Sequence, residues 1–144
     1  MLLTYTNLNA DDLRGSTVAD YLISIEADFA ILDDDLTVYE EPYFPVVELA
    51  RSLHIWAVRG ETHDFVFESL SFEEPGAVTI VRRESGWVFG SMFAPKVTSS
   101  VIEWRDVQEC VAAFEAKIRK DLARLSIDPD RVFRDSGPRQ SRAS

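Results

Sequence analysis

Residues 77–93, Ala-Val-Thr-Ile-Val-Arg-Arg-Glu-Ser-Gly-Trp-Val-Phe-Gly-Ser-Met-Phe, constrain the fold more than any other stretch. Two runs of β-branched and aromatic residues flank Ser85-Gly86, and a Gly-containing pair in that position predicts a hairpin. With Ser85-Gly86 as a two-residue turn, Glu84 faces Trp87, Arg82 faces Phe89 and Val78 faces Phe93. Period 2 puts Val78, Ile80, Trp87, Phe89 and Phe93 on one side and Val81, Val88 and Met92 on the other. A second strand apolar on both faces needs cover on both, so it belongs in the middle of a sheet. Trp87 and Phe89 are expected between this sheet and the last helix, opposite Phe114 or Ile118.

The remaining elements arrange themselves around that hairpin. Leu2-Leu3-Thr4-Tyr5-Thr6 reads as a short first strand, and Asn9 with Asp12 as the cap of a brief helical turn. Tyr21, Ile23, Ile25, Ala27, Phe29 and Ile31 hold every odd position, which predicts a half-buried strand over 19–31. Asp33-Asp34-Asp35 is its turn, and 36–40 returns as the partner strand. Glu41-Pro42-Tyr43-Phe44-Pro45 breaks that strand, and Pro45 opens a helix to Val58. Its buried stripe is Val46, Ala50, Leu53 and Ala57, with Glu48, Ser52 and Arg59 outside. Strands are expected over 65–72 and 97–103, although Ser100 to Glu103 could instead be a capping box that opens the last helix early, with Asp106 preferred as its cap. A long helix capped by Asp106 and Glu109 then carries Val107, Val111, Phe114, Ile118, Leu122 and Leu125 on one face. Asp128-Pro129 opens a last helical turn that packs Val132 and Phe133. The order describes one α+β domain over 1–133, a mainly antiparallel sheet of six or seven strands packed with two helices, the longer one C-terminal. Residues 134–144 hold no large apolar side chain, so a disordered tail is expected there.

Charge narrows the function classes. The chain of 144 residues has a net charge of −10, which speaks against wrapping the nucleic acid backbone. Residues 1–75 contain 16 acids and three bases, a net −13, whereas 76–144 contain nine acids and 12 bases, a net +3. One strongly acidic surface able to steer a basic partner follows if the halves do not interleave completely. No apolar run approaches the roughly 20 residues of a membrane span, and Met1-Leu2-Leu3-Thr4-Tyr5 lacks the basic start of a secretory signal. A cytoplasmic location is the expectation, and the single Cys110 fits a reducing compartment.

No motif identifies a reaction, cofactor or metal. His54 and His63 are the only histidines, and the second adjoins Asp64, a pair able to polarise water or hold a metal. Neither spacing nor a third ligand completes such a site. Cys110 reads as a small buried hydrophobe, and Trp56, Trp87 and Trp104 as core or as the lining of a pocket between sheet and helix. Glu40-Glu41 and Glu73-Glu74 each precede a proline and are read as loops. Adjacent strand residues face opposite ways, so one member of each pair is expected to be solvated. Glu40 and Glu74 can meet across the fold in an acidic rim with Asp33, Asp34 and Asp35, an arrangement that suits binding of basic groups better than chemistry. The candidate partner-binding residues are therefore Asp33, Asp34, Asp35, Glu40, Glu41, Glu73 and Glu74.

Tyr39-Glu40-Glu41-Pro42, Phe44-Pro45-Val46-Val47-Glu48-Leu49-Ala50, Glu73-Glu74-Pro75-Gly76-Ala77 and Ser85-Gly86-Trp87-Val88-Phe89-Gly90-Ser91 together resemble small uncharacterised proteins common in actinobacterial genomes. The resemblance covers most of 1–133 and implies no assigned activity or site. The expectation is a non-enzymatic acidic domain, without cofactor, that binds a basic protein, with neutralisation of a basic toxin as its most concrete form. The rival is a small-molecule binder or hydrolase using a pocket between sheet and helix, with His54, His63 or the Glu-Glu-Pro acids at its mouth.

Overall fold

The structure, a computed structural model, describes residues 1–134. It is α+β, with six strands in two antiparallel three-stranded sheets rather than one continuous sheet. Four helices are present among the described residues, not two, and the longest is C-terminal in position. The first sheet has the order β1 (Leu2–Asn9), β2 (Glu26–Asp33), β3 (Leu36–Phe44). The second has the order β4 (Phe65–Val66), β5 (Thr79–Arg83), β6 (Gly86–Gly90). The expected tail lies outside the described residues, apart from Arg134.

The strand expected over 19–31 is two elements, helix α1 (Val18–Ser24) followed by β2. A capping box decides the first half: the Thr17 hydroxyl accepts from the Asp20 amide at 3.1 Å and the Asp20 carboxylate accepts from the Thr17 amide at 3.0 Å. Tyr21 and Ile25 are one helical turn apart as well as two strand steps apart, so their spacing fits both periods. Ile23 separates the readings, since a strand would bury it and here it is 49% exposed. From Ala27 the alternation is genuine, with Ala27, Phe29 and Ile31 buried on the inner face. The expected helical turn near Asn9 is a side-chain-closed turn in which Asn9 Oδ1 accepts from the Asp11 amide.

The central hairpin forms with a register two residues from the expected one. Arg83 pairs with Gly86, Arg82 with Trp87 and Ile80 with Phe89, so Glu84-Ser85 is the turn and Gly86 the first strand residue. A two-residue slip keeps every side chain on its face, and Ile80, Trp87 and Phe89 are all buried together as expected. Gly86 is needed in the strand because a Cβ there would stand 2.3 Å from the Ile102 carbonyl oxygen. That approach belongs to the segment around Thr98 and Ile102, which bonds along the outer edge of β6 through isolated bridges instead of a regular strand. The expected strand over 65–72 is regular only at Phe65–Val66, after which the chain turns toward helix α2 (Val46–Val58).

That turn is set by Glu48. Expected on the outer side of α2, it is only 5% exposed. Its carboxylate accepts from the Ser69 hydroxyl at 2.6 Å and the Leu70 amide at 2.9 Å, which pins the 67–76 loop to the first turn of α2. Helix α3 (Trp104–Arg124) begins two residues before the expected Asp106 cap, with Glu103 as its cap residue and no side-chain cap bond. Packing of the half-buried Trp104 accounts for the early start: its ring lies 5.3 Å from that of Trp56 and 5.2 Å from that of Trp87. Trp87 thus meets the last long helix at Trp104, whereas Phe114 packs on Tyr5 and Phe29 of the first sheet. Leu125, expected in the buried stripe, falls past the helix end and is half exposed. Helix α4 (Pro129–Phe133), capped by Asp128, buries Val132 and Phe133 as expected.

Candidate partner-binding surface

The first sheet buries its inner face and leaves the other open. Leu3, Tyr5, Ala27, Phe29 and Ile31 point into the core. The register sets Thr4, Ala30 and Glu40 in one row across the outer face and Thr6 beside Asp28 in the next. Small side chains in the middle with acids at the border make a depression of about 380 Å³, to which Asp28, Glu40, Glu41 and Pro42 contribute. A second depression of about 220 Å³ adjoins it, shares Asp28 and Pro42, and adds Glu26, Asn7 and Tyr43. Neither lining contains a lysine or arginine among the described residues.

Irregular backbone shapes this end of the face. The pairing shifts between Thr6 and Asn9 in β1 and between Ala27 and Phe29 of β2, so a bulge lies on each side of Asp28. Asn7 has φ 58 and donates its side-chain amide to Asp28 at 2.7 Å. Tyr43 has φ 55, a left-handed conformation unfavourable for a bulky residue, and its side chain is 74% exposed. Backbone strain spent on presenting an aromatic group to solvent is a mark of functional surfaces. Sequence reasoning missed Tyr43 because it places a strand break at 41–45, and it left Glu26 and Asp28 as the solvent side of a strand rather than as binding acids. β3 instead runs to Phe44, and Pro42 is tolerated because β3 is an edge strand.

The seven expected acids do not share one rim. Asp34 and Asp35 are exposed at the β2–β3 tip, about 20 Å from Glu40 at the rise of an extended strand. Asp33 accepts from the Ser100 amide at 2.7 Å, and that bond holds its carboxyl below the ordinary value. Glu40 and Glu41 lie within β3 rather than in a loop, and take opposite roles as the alternation requires. Glu40 borders the open depression, whereas Glu41 accepts from the Tyr39 hydroxyl at 2.8 Å. Burial, then that bond, raises the Tyr39 hydroxyl above its ordinary value. Glu73 and Glu74 are exposed in the loop that follows Phe72.

The histidines are placed apart from one another and from these acids. His54 Nδ1 lies 2.7 Å from Glu115 Oε1, and the other Glu115 oxygen accepts from Arg119 Nε at 2.8 Å. Arg119 also bridges to Asp130 at 3.0 Å, and the His54 ring packs on Phe133. This network ties α4 to α2 and α3. His63 lies 2.8 Å from the Thr62 hydroxyl, while Asp64 accepts from the Arg82 amide at 2.9 Å. Both line a broad cleft between α2 and β4, with Ser52, Arg59 and Glu68. Cys110 is buried, and burial pushes its thiol up to about 11, which disfavours the thiolate. Among the described residues no group of three or more His, Cys, Asp or Glu is placed to hold a metal ion, and no helix is long and apolar enough to cross a membrane.

The features together define a two-sheet α+β domain with one open, acid-bordered sheet face. The chain belongs to the family described as Domain of unknown function (DUF7878), whose model matches residues 1–124. That match includes both sheets and α3, and α4 follows it. A search among curated proteins and another among solved structures gave no match.

Proposed function

We propose that this is a non-enzymatic protein-binding domain that receives a basic segment of another protein on the outer face of its first sheet. Neutralisation of a basic toxin is the most concrete form of that role. The observation that carries it is the uncovered Thr4–Ala30–Glu40 row, bordered by Glu26 and Asp28. Such a face attracts cations without a counter-charge of its own, and acts chiefly on association rate. The test is recovery of a bound protein with the tagged chain from its native host, followed by association rates at two salt concentrations. Screening shortens from about 10 Å at 0.1 M to about 3 Å at 1 M, so the wild-type rate falls with salt. Asp28→Asn with Glu40→Gln slows association at low salt only. Equal rates at both salts refute the proposal. A small metabolite that co-purifies without any protein favours the rival reading, for which the cleft holding Ser52, His63 and Asp64 is the place to look.

A further inference from the structure

We infer that the occupant of this surface carries a large apolar side chain as well as basic ones, and that the apolar group seats on a ladder of rings along the edge of β3. The inference rests on the acidic-face reading and adds what the partner must present. Phe93, 43% exposed, stands 6.3 Å from the Tyr39 ring and 5.8 Å from that of Phe72. Phe72, half-buried, in turn lies 5.5 Å from Phe44; Tyr39 and Phe44 are buried and back the seat, while Phe93, Met92 and the edge of Phe72 present it. Beside them Met92, 60% exposed, lies over Gly76, where a Cβ would meet its sulfur at 2.5 Å. Contiguous exposed apolar groups with a charged border mark interaction sites. The border here is acidic: Glu41 is bonded to the Tyr39 hydroxyl of the ladder, and Glu73 and Glu74 follow Phe72 directly. Lys96 is the nearest base in sequence.

The ladder is held in place before any partner arrives. The Met92 amide donates to the Gly76 carbonyl at 2.8 Å, the Gly76 amide to the Phe67 carbonyl at 2.8 Å, and the Phe93 amide to the Ser91 hydroxyl at 3.1 Å. Little ordering is left to pay on binding. Tyr39, Glu40 and Glu41 are consecutive on β3, so the ladder on one side of that strand and the acidic depression on the other form one surface around an edge. Charge selects among occupants. A second copy in a two-fold contact would bring the same glutamates face to face on chains of net charge −10. An anionic lipid surface is repelled in the same way. Residues 135–144 supply Arg139 and Arg142 but no large apolar side chain. A basic segment of another protein with an aromatic or long aliphatic anchor satisfies both halves of the surface.

Three synthetic 12-residue peptides test this by amide chemical-shift titration of the full chain: alternating lysines around a central Trp, the same peptide with Ser for Trp, and the Trp peptide with Glu for every Lys. The first is expected to bind about tenfold more tightly than the second and to shift Phe72, Met92 and Phe93. The second shifts only Thr4, Ala30 and Glu40, and the third does not bind. Phe93→Ser removes the tenfold advantage, and Glu73→Lys with Glu74→Lys, both on an exposed loop, weakens the first peptide independently. Equal binding of the first two peptides overturns the anchor and leaves the acidic face standing. Failure of both to shift the face refutes the acidic reading and this inference with it. Binding of the glutamate peptide, or a Phe93-dependent dimer in sedimentation, overturns the basic occupant.

Discussion

Replacing Glu48 tests whether a buried carboxylate organises the loop that carries Phe72, Glu73 and Glu74. At 5% exposure its two oxygens accept from the Ser69 hydroxyl and the Leu70 amide, and it lies in the first turn of α2. Hydrogen bonds to a charged group contribute about 1.5–3 kcal/mol each. Leu70 is 70% exposed, so its amide regains water once the carboxylate is gone, and the low end applies to that bond. A carboxylate near a helix N-terminus adds about 0.3–1 kcal/mol. Glu48→Ala is therefore expected to destabilise by about 3–5 kcal/mol in urea titration followed by tryptophan fluorescence. Glu48→Gln keeps the volume and one acceptor oxygen, and is expected to lose about 1–2 kcal/mol. Hydrogen exchange localises the effect, with faster exchange at Leu70 and Ser71 in the Ala variant. A loss below about 0.5 kcal/mol, within the range of ordinary surface substitutions, would refute the reasoning.

Trp87→Ala empties a site 1% exposed and packed on Trp56 and Trp104, with an expected loss of about 3–5 kcal/mol in urea and a collapse of the near-UV dichroism of the three indoles. A loss under about 1 kcal/mol would make the hairpin peripheral. Gly86→Ala forces the segment around Ile102 away from β6, with an expected loss of about 1–3 kcal/mol and accelerated exchange of the Trp87 and Ile102 amides. Unchanged exchange there would show that the edge gives way without parting. Asp33 has a lowered folded value, so its bond to Ser100 contributes fully above the unfolded carboxyl value of about 3.9 and is lost as pH falls through the lower folded one. Carbon-detected titration of its carboxyl reads this directly, and a midpoint at or above about 3.9 contradicts it.

What the sequence shows of this fold depends on how far apart the deciding partners lie. The hairpin faces were legible because period 2 is a local property, and even the misplaced turn left Trp87 and Phe89 on the correct side. The turn itself was not, because Gly86 answers to the Ile102 carbonyl rather than to its neighbours. Helix α1 was legible in principle: Thr17 and Asp20 form a capping signature, overridden by an alternation that Tyr21 and Ile25 satisfy equally as a helix. Nothing local marks Glu48 as buried, since its partners come from a loop more than 20 residues on. The acids of the candidate surface were only partly found for the same reason. Charge counting located Glu40 and Glu41, but Asp28 and Glu26 read only as the solvent side of an alternating strand and were not counted among the binding acids. Tyr43 required the register, because only the pairing of Ala27 with Phe44 turns an expected break into a bulged edge strand.

The latch made by α4 bears on how the protein is synthesised. Arg131 Nη2 donates to the Ser16 carbonyl across 115 positions, and Tyr5 waits for Asp121 and Lys117 across a similar span. At about 5–20 residues per second the ribosome needs roughly 6–23 s to supply the partner of Ser16. For about half of that interval, from the completion of β3 at Phe44 to the start of α3 at Trp104, the sheet has been made while the cover for its inner face has not, a state prone to sticking to other nascent chains. The same first 75 residues carry a net −13, which keeps neighbouring unfinished copies apart by repulsion until α3 closes over them. A charge distribution proposed to serve recognition in the finished protein would thus also protect the unfinished one on the polysome.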